Sequence, residues 1–178
     1  FHRNIIILEP FAEVTLFESI GSEGLNSSSL FGNVTHIELG EGSKLNRILF
    51  QSCDPLTTLY QLEHFNIARN ASVTNTTIHL GSAQSRVETK GSLLGEGAVF
   101  ENYSLFFGKN KQLFDQRTMQ HHLAPHGRSN LVCKNALSGE SKSIFSGMIK
   151  VDNSASSTDA YQSNRNLLLS GKAEADSL

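Results

Sequence analysis

Asp115, His121, His122 and His126 fall in one short stretch and are residue types that bind zinc or another divalent transition ion. On an extended strand, however, His121 and His122 point to opposite faces and cannot easily hold one ion. They are expected to be polar strand and turn residues, and no metal ligand is assigned. Cys53 and Cys133 are the only cysteines, and neither has a Cys-x-x-Cys partner. Both are expected to be buried as small hydrophobes, and two in 178 residues make no disulfide framework, which fits a reducing compartment. Serine, histidine and aspartate for nucleophilic catalysis are all present, but no Gly-x-Ser-x-Gly elbow exposes a nucleophile. Gly40-Glu41-Gly42 and Gly95-Glu96-Gly97 are too short to cradle a phosphate and are expected to be turns. The carboxylates Glu13, Asp54, Glu88, Glu101 and Asp115 show no regular phase, as a polysaccharide lyase or hydrolase would require of its acid–base or calcium groups. No catalytic or cofactor-binding residue is therefore expected. Asn70, Asn75, Asn164 and Asn166 could stack as amide ladders along a repeating strand array, or sit in exposed turns.

The elements that carry these residues are strands. Apolar and β-branched residues cluster at Val14–Phe17, Val34–Leu39, Leu45–Phe50, Val73–Leu80, Val99–Phe107 and Ile144–Val151. In the last of these, Phe145, Gly147, Ile149 and Val151 share one face, with Ser146 and Lys150 on the other. No capped 3.6-residue apolar stripe occurs, so helix should be scarce.

Small residues recur at Ala12, Ser43, Ala71, Ala98, Gly127 and Ala155, separated by 31, 28, 27, 29 and 28 residues. A second series, Gly24, Asp54, Gly81, Gly108, Gly139 and Gly171, interleaves with it. Two turns and two strands per period of about 28 residues describe a parallel β-helix, whose coils bury their apolar faces only when stacked. The competing antiparallel sandwich expects Asn-Gly or Asp-Gly hairpins, and none occurs. The hexapeptide signature of left-handed β-helices is missing too, which leaves the right-handed form. Val, Ile, Leu and Phe are expected inside, and residues 1–178 should form one all-β domain.

A net charge of −2 and scattered Lys and Arg leave nothing to neutralise phosphates, so nucleic acid is not an expected partner. The longest apolar run, Ile5–Leu8, is far too short for a membrane helix. The opening Phe-His-Arg-Asn-Ile is unlike a secretory leader and lacks Met, so a cytoplasmic location and a start inside a longer chain are expected.

Gln120-His121-His122-Leu123-Ala124-Pro125-His126, then Phe145–Val151, then Thr158-Asp159-Ala160-Tyr161-Gln162-Ser163-Asn164-Arg165-Asn166-Leu167-Leu168-Leu169-Ser170 resemble in order and spacing the SufB/SufD family of iron–sulfur cluster assembly scaffolds. The resemblance extends more loosely to Leu8–Thr15, and Thr158–Gln162 is closer to the SufD-like members than to the SufB-like ones. It implies a right-handed β-helix core without enzymatic activity, an iron–sulfur cluster carried transiently by the full complex, and pairing with a SufB-like subunit. It further implies that a SufC-like ATPase is bound only through a C-terminal helical domain outside these 178 residues. The family's Asp-Asp-Val-x-Cys-x-His-Gly-Ala motif is likewise expected beyond Leu178. SufB-like members carry a functional Cys in the stretch matching Ser163–Asn166, and this chain has none there. The resemblance places the subunit interface on the last coil, with Tyr161, Gln162, Asn164, Asn166 and Leu168 the expected contacts and a homodimer expected when no SufB-like partner is present. Alternatives are a polysaccharide lyase or hydrolase on the same fold, or a purely structural solenoid.

Overall fold

The computed structural model describes residues 1–177 and contains thirteen strands and, among the described residues, no helix. One sheet holds β1 (His2–Leu8), β3 (Ser29–Leu39), β5 (Thr57–Ile67), β7 (Gln84–Leu93), β9 (Leu113–His122), β11 (Lys142–Val151) and β13 (Glu174–Ser177). The other holds β2 (Glu13–Gly21), β4 (Lys44–Ser52), β6 (Ser72–His79), β8 (Val99–Gly108), β10 (Arg128–Leu137) and β12 (Asp159–Leu168). Every strand pairs in parallel with the strand two places along, so the chain alternates between sheets and climbs one coil per strand pair. The parallel β-helix expected from the sequence is the observed fold, and no hairpin is present among the described residues.

The first turn series explains the period. Its corners join the first sheet to the second, and residues just before the small ones, Phe11, Gly42, Asn70, Gly97 and His126, all have positive φ. Backbone bonds from Ala12 to Glu9, Ser43 to Gly40, Ala71 to Ala68 and Ala98 to Gly95 close these corners as four-residue turns with the left-handed residue third, the type II arrangement. The N–H of each left-handed residue then donates to the next coil: Phe11 to Glu41, Gly42 to Arg69, Asn70 to Glu96, Gly97 to Pro125. Successive corners are thus locked in phase, with strand offsets of 31, 28, 27, 29 and 31 residues (Glu13↔Lys44, Lys44↔Ser72, Ser72↔Val99, Val99↔Arg128, Arg128↔Asp159).

The last offset corrects one member of the series. Ser157 is the left-handed residue of the final corner, and His126 N–H donates to Ser156, so Thr158 rather than Ala155 matches Gly127. The corner between β11 and β12 is longer than its predecessors, and it shifts the true repeat past the alanine that drew attention. Gly97 is where the turn depends on glycine. A Cβ there would meet Asn70 Oδ1 at 2.6 Å while φ is +69°. Gly97→Ala is expected to cost about 1–2 kcal/mol, read as a shift in the urea midpoint. An unchanged midpoint for Gly97→Ala would refute the role given to this corner.

The interior is not uniformly apolar. One margin packs Leu8, Ile37, Leu39, Leu45, Phe65, Ile67, Val73, Leu93 and Phe100. The other packs Val87, Phe106, Phe114, Leu131, Leu137 and Phe145. Between them the sheets point polar side chains at each other: Arg47, Asn75 and Asn102 from β4, β6 and β8, and Glu63, Thr89 and Gln116 from β5, β7 and β9. The expectation of a Val, Ile, Leu and Phe filling holds for the margins and fails for this middle file.

Candidate functional site

The polar file starts at Arg47. Alternation along β4 sends Leu45, Arg47 and Leu49 inward, and the guanidinium is fully buried. Nη1 donates to Glu63 Oε1 (2.7 Å) and Asn75 Oδ1 (3.0 Å), and Nε donates to Glu18 Oε2. Burial alone would lower the Arg47 pKa, but the fields of Glu63 and Glu18 more than reverse this and keep it charged. Glu63 also accepts from Gln61 Nε2 (2.7 Å) and Thr89 Oγ1 (3.2 Å). Nearby, the buried His79 ring stacks on Phe106 with centroids 4.4 Å apart. Desolvation holds its pKa down at about 4. Asn75 Nδ2 continues the file to Asn102 Oδ1 (2.9 Å).

At the far end the file reaches the last coil. Cys133 donates to Gln116 Oε1, and burial pushes its thiol up to about 11, so it is a protonated packing residue. Cys53 is also buried and free, with its pKa raised by burial. Asn135 Nδ2 donates to Asn166 Oδ1 (2.6 Å) and Asn164 Oδ1 (3.2 Å), and Asn164 Nδ2 to Ser177 Oγ (2.9 Å). The ladders expected of Asn75, Asn164 and Asn166 therefore form, through Asn102 and Asn135, which the sequence did not single out. Asn70 instead takes a left-handed corner.

Among the described residues β12 pairs with β10 alone, and β13 pairs with Lys142–Phe145 of β11. Gln162, Asn164, Asn166 and Leu168 point along the solenoid interior, in register with Leu131, Cys133, Asn135 and Leu137, whereas Tyr161 and Leu167 point outward. Gln162 lies against Gly147, where a Cβ would sit 2.4 Å from Nε2. The five expected interface residues lie on one strand, β12, with Gln162, Asn164, Asn166 and Leu168 on its inner face and Tyr161 on its outer one.

The other sequence candidates are dispersed. His121 faces outward and pairs with Asp152 (3.0 Å), which lowers the Asp152 pKa. His122 faces inward to Ser129 (2.8 Å), and burial lowers its pKa. His126 is a left-handed corner residue, and Asp115 lies with Arg86 and Arg117. Among the described residues no group of three His, Cys, Asp or Glu is placed to hold a metal ion. The carboxylates prove more ordered than their spacing showed: register sets Arg86 beside Asp115 and Glu88 beside Arg117, an alternating charge cluster on the outer face. Glu101 pairs with Arg128 and Glu13 with Lys44, while Asp54 accepts from the Leu56 N–H.

A family model for the SUF system FeS cluster assembly SufBD core domain matches residues 1–178. The chain belongs to the SufBD core domain family. An iron–sulfur cluster assembly SufBD family protein of Mycobacterium tuberculosis is 30% identical over 122 residues, covering 65% of this chain and 31% of that protein. The iron–sulfur cluster assembly protein SufD of Escherichia coli is 28% identical over 176 residues, covering 98% of this chain and 41% of that protein. A SufBD family protein of Pyrococcus horikoshii is 28% identical over 171 residues, or 96% and 38%. The matches thus span 31% to 41% of the length of these relatives, and the SufBD match fixes the family without choosing a branch. Among the described residues no helix is long and apolar enough to cross a membrane.

Proposed function

We propose that this chain is the β-helix core of a SufD-like scaffold subunit, which pairs end to end with a SufB-like subunit. What supports this is that a chain matching the SufBD core domain over residues 1–178 folds as a parallel β-helix, with the five expected contacts together on β12. Tyr161 on that strand and Leu169 just past it are 54% and 61% exposed, apolar surface that gains from burial against a partner. The SufD-like assignment is supported by Thr158–Gln162 and by the lack of Cys in Ser163–Asn166. In this reading the core is not itself an enzyme and holds no resident cofactor. The cluster is cargo of the assembled complex, and a SufC-like ATPase engages helical sequence outside these residues.

Co-expression with a tagged SufB-like subunit tests the pairing. Tyr161→Glu with Leu169→Glu places a charge at each end of β12 and is expected to weaken co-purification at least about tenfold. Both positions are exposed, so the melting temperature of the free chain should hold. Full retention of the partner by the doubly charged chain would overturn the reading. Light scattering of the free chain is expected to show a dimer that the same pair of substitutions dissolves.

A further inference from the structure

The outer faces of the two sheets differ. That of the first sheet is charged, with Glu38, Glu88, Lys90, Asp115, Arg117 and Lys150 pointing outward. On the second sheet the outward charges Glu13, Lys44, Glu101, Arg128 and Asp159 all lie near the strand starts. Past them runs an apolar band across all six strands, with Phe17, Ile48, Phe50, Ile78, Leu105 and Phe107 at its centre. Phe17 is 67% and Phe107 43% exposed, and the others are half-buried. Parallel sheets normally have both faces covered.

The band ends in two cations. Lys134 of β10 and Arg165 of β12 are direct register neighbours on the same face, and among the described residues neither has a carboxylate partner. Like charges so placed repel. Between them and Leu105, Ala136 and Leu167 lies a shallow, mostly apolar groove of about 260 Å³.

We propose that this face docks an amphipathic helix whose apolar side covers the band and whose carboxylates reach Lys134 and Arg165, the helix being a tethered segment of the same, longer polypeptide. Six strands at about 4.8 Å span roughly 24 Å, the length of about 16 helical residues. A helix about 10 Å wide covers roughly 250 Å² there, well short of the roughly 800 Å² per partner of a stable independent complex. Tethering raises effective concentration to the millimolar range and makes so small a contact sufficient. The relatives carry the length for such a segment, since this chain spans only 41% of the SufD of Escherichia coli and 38% of the Pyrococcus protein.

The probe is a synthetic 16-residue helical peptide with leucine and alanine on one side and two glutamates in its last turn, compared with the same peptide carrying two lysines there. Fluorescence anisotropy at low salt is expected to show the glutamate peptide binding about tenfold tighter, with a dissociation constant above about 100 μM, as a tethered contact requires. Lys134→Glu with Arg165→Glu should reverse the preference without moving the melting temperature, both positions being on the surface. Phe50→Ser with Ile78→Ser should abolish binding of both peptides, and Lys90→Glu on the outer face of the other sheet should leave it unchanged. Equal binding of the two peptides, or a preference that survives charge reversal, would overturn the proposal. A constant below about 100 μM would overturn the tethered source in favour of an independent partner, and a dimer in light scattering lost on Phe107→Glu would assign the face to a second copy.

Discussion

Replacing Arg47 by methionine is expected to destabilise the fold by about 3–5 kcal/mol, the range for removing one partner of a buried ion pair, or on the order of 10 °C in Tm for a chain of this size. The large effect comes from what remains. Glu63 is fully buried and would lose its strongest donor while keeping only Gln61 and Thr89. Glu18, part-exposed near the first coil, can turn to water and contributes less. The combination Arg47→Met with Glu63→Gln is expected to recover more than half of the loss, because a neutral amide needs no counter-charge and can bond to the same neighbours. Urea midpoints of the two single variants and the combination give the coupling directly. Additive losses would show that Arg47 acts by packing alone.

Acidification should weaken the chain through His79, in a window set by one imidazole. Its folded pKa of about 4 lies below the ordinary 6.5, so the folded state refuses a proton that the unfolded state accepts. The contribution to stability is therefore complete above pH 6.5 and is lost as pH falls from 6.5 through 4, reaching about 3 kcal/mol. The cause is desolvation first, with the nearby Arg47 charge adding to it and Glu63 opposing it. His79→Leu keeps a ring-sized apolar group against Phe106 and removes the titration. Urea midpoints at pH 7 and pH 4 should fall further for the unmodified chain than for His79→Leu, and parallel pH profiles for the two would sink the assignment. Carboxylates titrate in both chains and cancel in the comparison.

The coil period was legible because every first corner needs a left-handed residue followed by a small one, and glycine, asparagine and alanine advertise such places. Phe11 and His126 occupy the same conformation without advertising it. Strands β2, β3, β4, β6, β8 and β11 could be read from apolar runs, whereas β5, β7, β9 and β10 could not. Their inward positions hold Gln61, Glu63, Thr89, Gln116, Gln120 and Asn135, which look like loop residues until the opposite sheet supplies their partners. One local signal went unused: the alternation Leu45, Arg47, Leu49 puts a charge in the middle of an apolar face, which demands a buried carboxylate somewhere. That it is Glu63 depends on the sheets facing each other, and no local pattern in the sequence carries that. Tyr161–Leu168 was named through family resemblance, and no pattern in the residues themselves marks that strand out.

The near-constant offset between paired strands also governs how the chain gets into this shape. Every strand pairing among the described residues joins positions 26 to 32 apart, so there is neither a local hairpin to seed the fold nor a very distant pairing to delay its completion. Closing the first coil on its neighbour is the entropically steep event. Each later coil repeats a closure of almost the same length on a template already made, so growth is a zippering reaction that can start wherever two adjacent coils first meet. The buried Arg47–Glu63 contact bridges β4 and β5, 16 residues apart in sequence, and is the shorter-range of the two ion pairs of the interior file, the other joining Arg47 to Glu18 across 29. The second and third coils are accordingly the natural place for that zipper to begin.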